Sequence, residues 1–280
     1  MRNDPIGLMD SGVGGLTVLK EIQRLLPTEK TVYLGDQGRL PYGPRSAAEV
    51  TAFTRQIAAY LRQKHHIKLL VIACNTATAA ALPTMQAELP IPVVGVISPG
   101  ARAGVQATRN HQIGVIATAG TVKSDQYRQQ ILAKDARNTV VSVATPELVT
   151  LAEQNDLVSA HAQEVVTQAV APLKNQGIDT LVLGCTHFPL LRQAIQGAVG
   201  SAVHLVNPGT ATAAAVTTLL DYWNLANDQS NDQPTAVYYT TGDADRFDRL
   251  ANQWLNRTPV QAIPVTIQTL ERAMQTTEGE

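Results

Sequence analysis

Cysteine is nearly absent from this chain, with only Cys74 and Cys185 in 280 residues. Two cysteines and no CxxC pair cannot form the disulfide framework of a small secreted domain. They also fall short of the four Cys or His ligands of a structural zinc site, and His65-His66 lacks the ligand spacing. Cys185 with His187 is the one pairing that leans toward a metal, and no metal site is read from it. Aromatic residues are scarce at 4%, so the core must be built from Val, Ile, Leu and Ala, which suits parallel sheets buried on both faces. Charge of either sign is not in excess: the net charge is −1, which gives no electrostatic case for nucleic acid or an anionic membrane. No apolar run approaches the roughly 20 residues of a membrane span. No cationic-apolar leader pattern opens the chain. The expectation is a soluble cytoplasmic protein of one large or two medium domains, with 44% hydrophobic residues to fill the core.

Strand and helix patterns alternate almost throughout. Strands are expected at Ile6–Met9, Thr31–Gly35, Leu69–Ala73, Pro92–Ile97, Ile113–Ala117, Val140–Ala144, Asp179–Gly184, Val203–Val206 and Ala236–Thr241. Ser98-Pro99-Gly100 is read as the break after the fourth. Helices are expected after Gly15, after Ser46 (an N-cap with Glu49 in capping-box position), from Thr118, over a long stretch from Pro146 to Lys174 interrupted near Asn155-Asp156, at Thr210–Trp223 and at Asp243–Leu255. Asn227–Pro234 reads as a polar loop. IGLMDSGVGG from Ile6 can be laid on IGVIATAGTV from Ile113, and the two cysteines recur at a similar offset. This suggests two similar α/β domains with mostly parallel sheets flanked by helices, pseudo-symmetric, with a site in the cleft between them. The expected division is 1–97 plus 208–280, carrying Cys74, and 98–207, carrying Cys185.

Both cysteines end a branched apolar run: LLVIACNTAT and TLVLGCTHFP. They therefore sit at the carboxyl ends of buried strands, the edge where open α/β sheets bind ligands. A helix start after each would lower the thiol's pKa. His187, two residues from Cys185, can orient or deprotonate that thiol, and Asp10 can do the same for Cys74. In DSGVGG (Asp10–Gly15) the glycines allow a tight turn and close backbone approach. The same glycines, with Asp36 after the next strand, imitate a dinucleotide fingerprint, but Thr17 stands where its third glycine belongs. Two opposed thiols suit removal of a Cα proton on one face with delivery on the other. Nucleophilic catalysis by one Cys–His pair leaves the second thiol idle, and a redox pair lacks the usual CxxC.

With DSGVGG, YLGD (Tyr33–Asp36), PYG (Pro41–Gly43), ACNTAT (Ala73–Thr78), PVVGVISPG (Pro92–Gly100), GCTHFPLL (Gly184–Leu191) and TTGD (Thr240–Asp243) in order, the chain resembles the glutamate racemases of the cofactor-independent aspartate/glutamate racemase superfamily, nearly end to end. The resemblance implies interconversion of L- and D-glutamate for peptidoglycan, without pyridoxal phosphate or metal, by an enzyme that is often a homodimer. It implies Cys74 as the base toward the D-isomer and Cys185 toward the L-isomer, assisted by Asp10 and by His187 respectively, with Glu153 as an acidic residue on the Cys185 side. Asp10, Ser11, Tyr42, Gly43, Asn75, Thr76, Thr186 and His187 match substrate-holding positions, and Thr118 and Thr121 are further candidates for a carboxylate contact.

Three departures stand out. Thr145-Pro146 replaces a common Cys-Pro and removes a third, nonessential cysteine. The segment after it is less typical, so Glu147 competes with Glu153. Asn207-Pro208 replaces an Asp-Ser type pair at the domain junction. A racemase for a shorter amino acid such as aspartate, or a glutamate-binding protein without turnover, remains the alternative.

Overall fold

The computed structural model describes residues 2–227, 235–255 and 259–277, so the expected polar loop lies, beyond Asn227, outside the described residues. Among the described residues ten strands form two sheets. Strands β1 (Ile6–Asp10), β2 (Thr31–Gly35), β3 (Leu69–Ile72), β4 (Val93–Gly95), β9 (Ala236–Thr240) and β10 (Ala262–Pro264) form one, in the order β10-β9-β2-β1-β3-β4. Strands β5 (Gln112–Ala117), β6 (Thr139–Ala144), β7 (Thr180–Gly184) and β8 (His204–Val206) form the other, in the order β6-β5-β7-β8. Every pairing is parallel. The order β2-β1-β3-β4 is reproduced by β6-β5-β7-β8, so the short repeat in the sequence corresponds to a repeat of topology. Cys74 follows β3 and Cys185 follows β7, the equivalent strands.

Side-chain alternation sorts the core. Leu69 and Val71 face one apolar cluster, while Leu70, Ile72 and Cys74 face the other. In the second sheet Val182 joins one cluster and Leu181, Leu183 and Cys185 its opposite. Each thiol thus continues an inward-facing row, a consequence of the strand's period of two. Helices α1 (Leu16–Leu25), α2 (Ala47–His65), α3 (Asn75–Glu88), α10 (Pro208–Tyr222), α11 (Ala244–Leu255) and α12 (Ile267–Thr277) contribute to the layers of the first sheet, and α4 (Ile97–Ala107), α6 (Gln126–Lys134), α8 (Ala160–Val170) and α9 (Arg192–Val199) to those of the second. Two short helices, α5 (Ala119–Lys123) and α7 (Glu147–Glu153), stand between them in the chain.

Several boundaries differ from the sequence reading. The fourth strand is only Val93–Gly95, and Ser98-Pro99-Gly100 lies in the first turn of α4. Proline fits there because first-turn N–H groups lack intrahelical partners in any case. The helix expected from Thr118 is two, α5 and α6, separated by Asp125 at φ 56°. The stretch 146–174 is α7, α8 and a short 3-10 turn at Ala171–Leu173, with Asn155 at φ 56° after α7. β10 and α12 lie beyond Leu255, where the sequence reading named no element.

The capping box at Ser46 is realised: Glu49 N donates to Ser46 Oγ at 3.3 Å, and Ser46 N donates to Glu49 Oε2 at 3.0 Å. Ser46→Ala is expected to lower unfolding stability by about 1 kcal/mol, read from urea denaturation midpoints; an unchanged midpoint would show that α2 is held by its packing alone.

Candidate active site

The parallel register brings strand ends together. Asp10 pairs with Gly35 and Met9 with Ile72, while Ala117 pairs with Gly184. The turns after β1 and β3 meet those after β5 and β7 along one seam. Gly14 makes this approach possible: a Cβ there would lie 2.6 Å from His187 Cε1 and 2.8 Å from its Nδ1, against Thr186 as well. Gly15 is equally confined, by Asp10 Cβ at 2.6 Å and Tyr33 Oη at 2.8 Å. Gly14 therefore serves contact between the two halves and Gly15 close packing within the first, and neither leaves a berth for a pyrophosphate. The acidic residue of the dinucleotide imitation, Asp36, is buried and engaged by Arg39 Nε (2.7 Å), Thr241 Oγ1 (2.7 Å) and the Tyr42 hydroxyl.

Cys74 is buried and is the N-cap of α3, its sulfur accepting from Ala77 N at 3.4 Å. Its thiol lies 3.7 Å from Ser11 Oγ. The expected lowering by the helix start is overturned. Burial, then the charge of Asp10, push the Cys74 thiol up to about 12, outweighing the Ala77 and Ser11 hydrogen bonds. Asp10 acts on Cys74 through this charge; its own Oδ2 accepts from Gly12 N at 3.1 Å. Burial pushes the Asp10 carboxyl up to about 6, against the pull of His187 and of the Gly15 and Gly12 amides.

Cys185 is buried too, but no α-helix begins at this thiol: Thr186 and His187 lead instead into the 3-10 turn Phe188–Leu191. The Cys185 sulfur is 3.7 Å from His187 Nδ1, and His187 Nε2 is 2.8 Å from Glu153 Oε1. Burial works against a charged His187, yet hydrogen bonds to Cys185 and Glu153 prevail and raise it to about 10. Glu153 closes α7, whereas Glu147 opens it and is exposed. Between the two candidates, the carboxylate on His187 is that of Glu153.

The remaining predicted residues also gather at the seam. Thr76 Oγ1 lies 2.9 Å from Thr118 Oγ1 and 3.4 Å from Thr121 Oγ1, a hydroxyl cluster joining α3 to α5. The Tyr127 hydroxyl donates to Asn75 Oδ1 at 2.7 Å, and Thr17 Oγ1 donates to the Thr186 carbonyl at 2.8 Å. Gly43 passes against α5, where a Cβ on Gly120 would meet the Gly43 carbonyl at 2.6 Å. Tyr42 is buried with its hydroxyl committed to Asp36, so the hydroxyl is not presented to the seam. The sequence reading passed over Tyr127 and Arg246, and it noted Asp36 only in a motif. Tyr127 and Arg246 act through partners 52 and 93 residues away, which leaves no local pattern.

The space beside Cys185 and Asn75 is about 10 Å³, room for no more than one water. A cavity of about 490 Å³ opens beside Thr76, lined by Gly43, Ser46, Gly120 and Lys123. Among the described residues no three His, Cys, Asp or Glu side chains are grouped so as to hold a metal ion, and no helix is long and apolar enough to cross a membrane.

The model of the Asp/Glu/hydantoin racemase family matches residues 6–216. The chain belongs to this family. Among racemases similar to it is the glutamate racemase of Levilactobacillus brevis, 66% identical over 275 residues, which cover 98% of this chain and 99% of the relative. The crystal structure of a Bacillus anthracis glutamate racemase isoform superposes with a TM-score of 0.92 at 41% identity, covering 95% of this chain and 99% of that one. The Francisella tularensis glutamate racemase, solved in complex with D-glutamate, gives 0.87 at 31% identity, with 95% and 98% covered.

The raised His187 has a sign that can be checked. Between its ordinary value of 6.5 and about 10, the folded protein keeps a proton that the unfolded chain releases. The stabilisation is complete below the lower value and is lost as pH rises through the upper one. The stability advantage of wild type over His187→Asn should therefore shrink between about pH 6 and pH 9.5 in denaturant titrations. A difference that stays constant or grows would contradict a protonated His187.

Proposed function

We infer that this protein is a glutamate racemase, interconverting L- and D-glutamate by proton transfer at Cα between two thiols. The observation that carries the activity is the 66% identity, across 98% of the chain, with the Levilactobacillus brevis glutamate racemase. The two-thiol mechanism is supported by Cys74 and Cys185 at equivalent strand ends of two like-ordered sheets.

A Cα–H beside a carboxylate is far weaker as an acid than a thiol, so the developing charge must be met by fixed donors with water excluded. Asn75, Thr76, Thr186 and the amides of the glycine turn are the donors at hand. Cys74, raised to about 12 by burial, enters the cycle as a thiol with a proton to deliver. Cys185 has the imidazolium of His187 at 3.7 Å, a positive partner for charge on its sulfur. In the L-to-D direction the proton is taken at Cys185 and one is returned from Cys74; the D-isomer uses the two thiols in the reverse roles. Asp10 is coupled electrostatically to both sides: its carboxyl, pushed up to about 6, is pulled down by the charge of His187 and in turn raises Cys74. Glutamate enters from the side of Thr76 and Gly43, where the cavity of about 490 Å³ opens, and the burial of both thiols excludes water.

In this reading residues 1–97 with 208–280 form one domain and 98–207 the other. The enzyme works without pyridoxal phosphate or a metal, in the cytoplasm, as a homodimer, and supplies peptidoglycan synthesis.

The test is incubation with L-glutamate in D2O without added cofactor, following optical rotation and Cα deuterium together. Loss of rotation with deuterium in the D-isomer is expected; a folded protein silent with both glutamate and aspartate would exclude racemisation. Cys74→Ala and Cys185→Ala should each lower kcat at least about a hundredfold with circular dichroism unchanged. Full activity in either variant would rule out the two-thiol mechanism.

A further inference from the structure

Glu153 is held from two directions. Its Oε1 meets His187 Nε2 at 2.8 Å, and its Oε2 meets Arg246 Nη2 at 3.1 Å. Arg246 belongs to α11, whose Phe247, Leu250, Ala251, Trp254 and Leu255 are buried in a core cluster of the first sheet. Glu153 ends α7, between β6 and β7 of the second sheet. The same helix reaches across twice more: Trp254 Nε1 donates to Asn155 Oδ1 at 3.3 Å, and the Trp254 ring stands edge-on to His187 with centroids 6.1 Å apart. Glu153 sits in a last helical turn, just before Asn155 in the left-handed region, where a carboxylate without a second partner can turn away from the histidine.

We propose that Arg246 is a positioning residue of this racemase: by binding one oxygen of Glu153 it aims the other at His187, so that α11 of the first half sets the proton-holding arm behind Cys185 in the second. The Arg246 side chain is 50% exposed and that of Glu153 only 9%. An ion pair open to solvent on one side contributes little to stability, so the consequence of the contact lies in orientation. The proposal rests on the racemase reading for its kinetic arm only.

The experiment compares wild type, Arg246→Ala and Arg246→Lys by NMR titration of the His187 ring and by steady-state kinetics. Charged or titratable groups facing His187 are Cys185, Glu153 and, across the seam, Asp10, with Arg246 behind Glu153. If Arg246 acted only as a nearby positive charge, its removal would raise the His187 titration. If it positions Glu153, removal frees the carboxylate and the titration falls. The expected result for Arg246→Ala is a fall, with kcat reduced roughly tenfold and KM within about twofold. Arg246→Lys, which keeps one donor, should recover part of both. A His187 titration that rises or stays in place overturns the proposal. A wild type without Cα exchange would remove the racemase reading and leave the His187 titration to decide the role of Arg246.

Discussion

Closure of the seam at Gly14 governs the rest of the site. A side chain there would collide with Thr186 and His187; without one, the turn after β1 fits against the turn after β7, and Asp10, Cys74, Cys185 and His187 are all buried. Ionisable groups in such a space lose hydration and depend on one another instead. Asp10 is driven up to about 6 and Cys74 to about 12, both chiefly by burial. His187 moves the opposite way to what burial alone would do, because Glu153 and Cys185 lie within hydrogen-bonding reach. The two sides of the site are therefore unlike in charge although they are alike in topology.

That asymmetry fits a reaction whose two directions use the same groups in exchanged roles. One thiol needs a proton to give and the other needs support for negative charge. The Cys74 side supplies the first through desolvation, and the Cys185 side supplies the second through the His187–Glu153 arm. Thr76 with Thr118, Tyr127 with Asn75 and Arg246 with Glu153 tie the two sheets together across the same seam.

Much of the fold was legible because parallel strands buried on both faces read as short apolar runs, and both cysteine strands are such runs. The glycine turn, the capping box and the placing of both thiols at a sheet edge come from local pattern. Charge states did not: the helix start at Cys74 suggested a lowered thiol, but desolvation, set by residues distant in sequence, is the larger effect. The first turn of α4 was taken for a strand break because Ser98-Pro99-Gly100 is ambiguous between turn and helix start. Arg246 and Tyr127 were missed because their partners lie 93 and 52 residues away. Tyr42 illustrates the reverse case: its position near the seam was expected, but its hydroxyl is engaged by Asp36.

In the proposed mechanism each thiol faces one side of Cα, Cys74 toward the D-isomer and Cys185 toward the L-isomer. Substrate isotope effects with Cα-deuterated L- and D-glutamate in Cys74→Ser and Cys185→Ser test it most directly. A weakened base makes its own deprotonation step limiting. Cys74→Ser should therefore show the larger isotope effect with D-glutamate, and Cys185→Ser with L-glutamate. Equal effects for both isomers in both variants, or the opposite pairing, would contradict the account.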